Sequence, residues 1–499
     1  MKRILLFVLI AATVPAAFAQ SRHQTPANLG LGGGGTAYMD SYDANFLNPA
    51  NLMLRNDRKT RVSIGLGGLS VGVGGPLADI TTYNEYLTKD LTLTSQLTAT
   101  MLNDWFGTDP DLRADLGYEI GVTVFGLSIH NPNWSASLVT RSRVVGDVGT
   151  NRGLMEAFFH GLDPAMFGTG RPVNFATDVM AFSEVSIGFA MPVFKGDGMT
   201  LHVGVAPKFL LTHSVQRVDF TSTLTTTGSQ LRHAFDYTIR THGNLADDLA
   251  RYADDYAAAP TDKKPDLSEY VEPAADDVAG LQSTGIGFDL GATLVMDADF
   301  VPIPNWGPFR GPRTFSVGLS VTDIGKLAVS DGTRFRSSGT ITFNGFSYDA
   351  AMIDDLFDGD FGKYTESVIR DSIGTDKYLG FAPEGSETIN RGLPTTVNLG
   401  THLRMGRFGL MMDIGKGLND RGINSTNLYT ALGMEYRLFG FWPWRVGMRT
   451  GGYSETTYHF GTGLEFRNLE FSLGAASSAS SKENGAGLST AFTGLVLHF

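Results

Sequence analysis

Cysteine is absent from all 499 residues, which excludes a disulfide, a thiolate metal site, a cysteine nucleophile and a lipid-modified cysteine behind the apolar N-terminal run. That run is also the last of its length. Beyond residue 19 no stretch of about 18 apolar residues exists that would cross a bilayer as a helix. Basic residues are in deficit, with 39 Lys and Arg against 51 Asp and Glu and a formal charge of −12. Losing Lys2 and Arg3 with a leader takes −12 to −14, a balance that disfavours nucleic acid and other polyanions as partners. No spaced histidine cluster offers a zinc site, and no cofactor is expected.

At the N-terminus, Lys2 and Arg3 precede an apolar run from Ile4 to Val14, and Ala17-Phe18-Ala19 supplies the small-x-small pattern of a cleavage site. Residues 1–19 are therefore predicted to be a signal peptide cut before Gln20. An exported chain without a second apolar helix enters a membrane only as a barrel of strands.

The strand pattern supports that route. From Asn427 to Phe439, Leu428, Thr430, Leu432, Met434, Tyr436 and Leu438 fall on one face, and Tyr429, Ala431, Gly433, Glu435 and Arg437 on the other. Trp444, Val446 and Met448 oppose Arg445, Gly447 and Arg449; Tyr458, Phe460, Thr462, Leu464 and Phe466 oppose His459, Gly461, Gly463 and Glu465; and Leu469, Phe471, Leu473 and Ala475 continue the rule. One face suits lipid and the other water. The last strand, with Leu495, Leu497 and Phe499 outward and Val496 and His498 inward, reads as the terminal strand that barrel assembly machinery recognises through Phe499. Mean hydropathy stays near zero (−0.04) because only alternate residues need be apolar. A soluble periplasmic β-protein would carry Lys, Glu and Thr on its outward face instead.

Ten further strands are predicted at Arg61–Val73, Gly117–His130, Trp134–Val145, Phe182–Phe194, Leu201–Val215, Gly285–Met296, Thr314–Val321, Thr333–Phe343, Thr396–Arg404 and Phe408–Gly415. With the five C-terminal ones they make about fifteen. Single-chain barrels close with an even number, so the expectation is an all-β antiparallel transmembrane barrel of about 14 strands, range 12–16. Phe439, Phe441, Trp442 and Trp444 around one tight turn predict part of an interfacial aromatic girdle. Acidic inserts at about 244–280 and 349–377 belong in long outer loops, the first with an amphipathic helix over Leu245–Tyr256. A third insert, Ala78–Phe106, has helix-like spacing of Ile80, Tyr83, Tyr86 and Leu87.

Ahead of the first strand stand Gly32-Gly33-Gly34-Gly35-Thr36-Ala37-Tyr38-Met39-Asp40, Asp43-Ala44 and Asn48-Pro49-Ala50. This stretch resembles the opening of the FadL-like superfamily, which includes hydrophobic-solute channels and the PorV protein of the type IX secretion system. Ser316 to Gly325 and the Pro443-Trp444-Arg445-Val446-Gly447 strand start resemble it too, and the whole is similar to FadL-related barrels of Bacteroidetes-type Gram-negative bacteria. The resemblance implies an outer-membrane location, residues 20–60 as a hatch or plug and 61–499 as the barrel. Asn48, Pro49 and Ala50 would be the hatch motif, and the function passive uptake of a hydrophobic or amphipathic small molecule. The same resemblance implies an alternative, a PorV-type secretion or assembly component that binds secretion-system proteins and transports nothing. Asn51 departs from the glycine often found after Asn-Pro-Ala, and the acidic inserts are unusually long; both departures bear on the ligand rather than the fold.

Alternation also points His402, Arg404, Glu435, Arg437, Arg445, Arg449, Glu465 and Arg467 inward, as lumen ligand contacts or ion pairs. Alternating signs favour braces over a one-sign pore, and arginines facing inward suit a carboxylate. Enzyme signatures do not survive their context. Gly30-x-Gly32-x-x-Gly35 has no strand before it, and Gly68-Leu69-Ser70-Val71-Gly72 lies within a strand rather than at an elbow. Asp354, Asp355, Asp358 and Asp360 lack the bidentate glutamate of a calcium loop.

Overall fold

The computed structural model describes residues 23–54, 61–78, 85–86, 95–260, 265, 267–270, 280–299, 301–304, 306–344, 380–454, 456–478 and 486–499. The leader at 1–19, the insert at 349–377 with its four aspartates, and Ile80, Tyr83 and Leu87 lie outside them.

Strand alternation builds one antiparallel sheet. Its members are β1 (Arg61–Gly75), β2 (Arg113–Asn131), β3 (Trp134–Asn151), β4 (Phe175–Gly196), β5 (Met199–Thr227), β6 (Gln230–Thr241), β7 (Ser283–Asp297), β8 (Arg313–Asn344), β9 (Ala382–Gly392), β10 (Thr396–Met405), β11 (Phe408–Gly417), β12 (Leu428–Leu438), β13 (Trp442–Gly451), β14 (Thr457–Glu465), β15 (Leu469–Ser478) and β16 (Ala486–His498). A two-residue strand, Arg171–Pro172, lies beside β5. β16 returns to β1 with His498 opposite Ser63 and Ala486 opposite Gly75, so the sheet closes on itself. Closure leaves the wall without a free edge.

Two wall positions are each filled by two strands laid end to end. β6 and β7 both lie between β5 and β8, while β9 and β10 both pair with the far side of β8. Among the described residues the wall therefore has 14 positions. The fifteenth expected strand was half of another: Thr314–Val321 and Thr333–Phe343 are parts of the single 32-residue β8. Asp323, with φ 56°, and Gly325, with φ 155°, kink β8 between those halves, and the ladder to β7 shifts register beside them.

Crossing the hydrocarbon layer takes only about 9–11 residues of tilted strand. β5, at 29 residues, and β8, at 32, continue well past it and carry β6 and β9 on a projecting sheet. The ends of the barrel differ accordingly. Connections such as 406–407, 439–441 and 466–468 are short at one end, and the excursions 76–112, 152–174 and 242–282 all leave from the other. By the rule that periplasmic turns are short, the long connections face outward from the cell.

Helices occupy those outer connections: α2 (Ser95–Phe106), α3 (Arg152–His160), α4 (Pro164–Phe167) and α5 (Asn244–Ala258), with α1 (Pro26–Leu29) in the N-terminal segment. In the third insert the longest described helix is α2, where Met101, Leu102 and Phe106 are buried with Tyr86. α5 buries Ala246, Leu249, Tyr252 and Tyr256 along one face and packs on Phe335 and Phe381. Its aspartates lie mostly on the opposite side, as the helical period requires.

On the outside of the wall, Leu432, Met434, Trp444, Val446, Met448, Tyr458, Phe460 and Leu464 are 39–59 % exposed. Their neighbours in sequence, Ala431, Arg445, Arg449 and His459, are buried within. A continuous apolar belt of this kind is tolerated only against lipid, and the chain is an outer-membrane β-barrel. At the short-turn end the belt finishes in aromatic rings, with Phe439, Phe441 and Phe466 stacked in series at 6.1 and 5.0 Å.

Candidate functional site

Among the described residues, buried charged and polar side chains converge in the barrel interior. It is filled from the short-turn end by residues 23–54, most of which are buried. Pro26 opens α1, and Thr25 caps it, accepting from the Asn28 backbone nitrogen. Asn48 caps the 3-10 turn Pro49–Met53 through its side-chain oxygen, and its amide donates to the Thr36 carbonyl at 2.7 Å and to Thr293 Oγ1 on β7 at 2.9 Å. Thr293 Oγ1 donates in turn to Asn51 Oδ1 at 2.6 Å. Asn48, Ala50 and Asn51 have no exposed surface. The Asn-Pro-Ala turn is thus both a local cap and a tie to the wall, and Asn51 has a bonding role that glycine would not supply.

Glycine lets the segment come close. A Cβ on Gly447 would fall on the Gly32 backbone nitrogen and Leu31, one on Gly433 on Leu31, and those on Gly461 and Gly474 on Gly30 and Pro26. Four consecutive strands, β12 to β15, therefore offer a flat strip to the glycine-rich run. Asp413 on β11 fixes the run's end by accepting from the Gly35 and Thr36 nitrogens at 3.3 and 3.0 Å.

Above the segment lies a charged layer that the alternation argument, spent on the C-terminal wall, did not single out. Arg141 and Arg143 on β3, Glu119 on β2, Glu184 on β4, Lys208 on β5, Asp289 on β7 and Asp323 on β8 are all buried. Glu184 Oε1 is 2.5 Å from Arg141 Nη2. Arg143 reaches Glu119 at 2.7 Å and Asp323 at 2.9 Å, and Lys208 Nζ reaches Asp323 at 2.5 Å and Asp289 at 2.8 Å. The Phe46 ring, from the N-terminal segment, has the Arg141 guanidinium 3.9 Å and the Lys208 ammonium 5.1 Å from its centroid. Three cations thus bind four carboxylates and one aromatic face. A lone charge in an otherwise apolar strand, as in Ser183-Glu184-Val185 or Pro207-Lys208-Phe209, was the available sequence signal.

One step further toward the outer loops, the same strands turn apolar on their inner face. Val145 follows Arg143, Phe182 precedes Glu184, and Leu210 follows Lys208; with Leu327, Val329 and Leu393 they form one buried cluster. The interior is therefore stratified: N-terminal segment, charged layer, apolar layer.

The residues expected on the C-terminal wall divide. Glu435, Arg437, Arg445 and Glu465 meet in a closed quartet, with Arg445 2.7 Å from Glu435 and 2.5 Å from Glu465 and Arg437 at 2.7 and 2.6 Å from the same two carboxylates. Arg449 lies instead over the Tyr429 ring, 3.4 Å from its centroid, and His402 packs beside Tyr38 at 5.7 Å. Two of the expected residues stand apart from the quartet. Arg467 stands exposed in the 466–468 turn, because β14 stops at Glu465 and the chain leaves the ladder; Arg404, one residue from the end of β10, is exposed at the barrel mouth.

A family model described as "Family of unknown function (DUF5723)" matches residues 49–494. No curated protein matches the sequence. Among solved structures, the chain is similar to the Pseudomonas putida toluene transporter TodX, at 10% identity over 96% of this chain and 98% of that one, with a TM-score of 0.44. A TodX deltaS2S3 mutant, described as a monoaromatic hydrocarbon channel, gives 10%, 95%, 98% and 0.47. A Pseudomonas aeruginosa FadL homologue gives 13%, 97%, 99% and 0.42.

Proposed function

The chain belongs to the family of unknown function DUF5723, and from that premise and the stratified interior we propose that it is a passive uptake channel for a hydrophobic or amphipathic small molecule. The observation that carries this reading is the apolar layer of Phe182, Leu210, Leu327, Val329 and Leu393 on the lumen side of the wall. A water-filled barrel is polar within. Side chains of this kind on its inner face suit either one another or an apolar solute, and a site for such a solute is an apolar pocket with few polar groups beside it. The charged layer directly beneath supplies those groups. Residues 23–54 then act as the hatch, held by Asn48, Asp413 and the glycine strip, and the β8 kink at Asp323–Gly325 borders the apolar layer where the wall ladder is irregular.

Native mass spectrometry of the detergent-purified, delipidated barrel tests this. A discrete co-purifying apolar molecule, lost when Leu327→Arg places a charge in the layer, is the expected result. An empty wild-type barrel that retains a protein partner would overturn it in favour of a secretion or assembly role.

A further inference from the structure

The short-turn rim holds a corner that neither the barrel wall nor the lumen uses. The connection 298–312, between β7 and β8, is the longest at this end, and it carries Pro302, Pro304, Pro308 and Pro312, which restrict its backbone. It interlocks with the two-residue turn between β10 and β11. The Arg407 nitrogen donates to the Pro308 carbonyl at 3.0 Å and the Gly406 nitrogen to the Pro312 carbonyl at 3.1 Å. Gly406 has φ 59°, and a Cβ there would strike the Arg310 carbonyl. Phe309 and Phe408 meet edge to face at 5.5 Å. Two guanidinium groups, Arg310 and Arg407, are thereby placed on adjoining, backbone-locked turns.

Both arginines are exposed, and neither forms an ion pair among the described residues. Among the described residues, Asp297 at the end of β7 and Asp299 in the same connection pair with neither arginine. Beside them Trp306 is 68 % exposed. Unpaired arginine beside an exposed indole, at the level where the lipid-facing belt ends, combines the two chemistries of a membrane interface: a ring that prefers the headgroup zone and a planar donor that matches phosphate.

We propose that Arg310, Arg407 and Trp306 form a docking site for the phosphate headgroup of an anionic phospholipid in the periplasmic leaflet. The occupant is a lipid because the site is continuous with the apolar belt, so acyl chains lie against the outer wall while the headgroup meets the two guanidiniums. Nothing in this site depends on what passes through the lumen.

The test is native mass spectrometry of the full detergent-purified barrel titrated with phosphatidylglycerol or phosphatidylcholine of matched acyl chains. Phosphatidylglycerol is expected to be retained about tenfold more tightly. The preference should disappear in R310Q/R407Q and persist in K195Q, which removes an exposed cation from the end of β4 at the same rim. W306A should weaken both lipids without changing their ratio, and heat-modifiable gel migration verifies that each variant is folded; should the double variant not fold, R407Q alone is read the same way. Equal retention of the two lipids by the wild-type barrel, or an unchanged preference in R310Q/R407Q, overturns the proposal. Abolition of the difference by inorganic phosphate alone would identify a free-phosphate site instead and also overturn it.

Discussion

Arg141 donates to His23 Nδ1 at 2.7 Å, and this single contact fixes the state of a ring that ties the N-terminal segment to the wall. A nitrogen that accepts from a guanidinium carries no proton, so the proton sits on Nε2, which donates to Asp43 Oδ1 at 2.8 Å. Burial is the largest cause lowering the His23 pKa below its ordinary value; the Arg141 charge lowers it further, while Asp43 and Glu184 oppose. The chain Asp43–His23–Arg141–Glu184 therefore works with a neutral imidazole.

A pH dependence follows from that tautomer. A detached segment binds a proton near the ordinary histidine value of about 6.5, whereas the docked one resists it, so the detached state holds more protons below that pH and docking strengthens as pH rises. His23 contributes its full stabilisation above about 6.5 and loses it progressively as pH falls below. Hydrogen exchange of residues 23–54 should accelerate between neutral and mildly acid pH, and H23Q should flatten the profile. Exchange that is independent of pH in the wild-type barrel would dismiss the relay.

Much of this wall was readable from period-2 alternation, because lipid outside and polar interior impose opposite chemistries on alternate residues. β12 to β15 obey the rule almost without exception. It failed where tertiary context overrode local signals. Asp323, Gly325 and the Ser330-Asp331-Gly332 run resemble turns, yet they lie inside β8, where Gly325 pairs with Gly287 of β7 and Gly332 with Glu387 of β9, while Asp323, Ser330 and Asp331 fall at register shifts. β6 and β9 escaped notice because they lie outside the membrane, where no lipid enforces an apolar face; β9 is exposed along most of its length. The charged layer was missed for a different reason. Its members come one or two at a time from β2, β3, β4, β5, β7 and β8, and only closure of the sheet brings them together. His23 lies more than 100 residues from Arg141 in sequence, so no local pattern announces their contact.

Seating of the segment depends on the glycine strip, which gives a second prediction. Gly447→Val adds a branched side chain where only the Gly32 backbone fits, and overpacking of this kind costs about 1–3 kcal/mol. The barrel, held by its other ladders, should still show heat-modifiable migration, while residues 23–54 become sensitive to added protease. Gly392→Ala is the matched control, since a Cβ there meets nothing within 4 Å. Protease resistance equal to wild type in Gly447→Val would show that the strip does not hold the segment.

The quartet of Glu435, Arg437, Arg445 and Glu465 separates bracing from ligand binding. Two cations face two carboxylates at 2.5–2.7 Å, so each arginine already has an anionic partner and a solute carboxylate would have to displace one. Arg445 is the most enclosed of the four, with its side chain 2 % exposed. Removing one member of a buried pair leaves the other charge uncompensated, at a cost of about 3–5 kcal/mol. Arg445→Met should therefore lower the temperature at which the barrel loses its heat-modifiable band. Pairing it with Glu435→Gln, which removes one of the stranded carboxylates, should restore part of that loss, because the remaining Arg437–Glu465 pair is again neutral. If the quartet were instead a headgroup site, Arg445→Met would leave thermal stability unchanged and alter only the binding of acidic solutes. A melting midpoint equal to wild type in the single variant would overturn the bracing role.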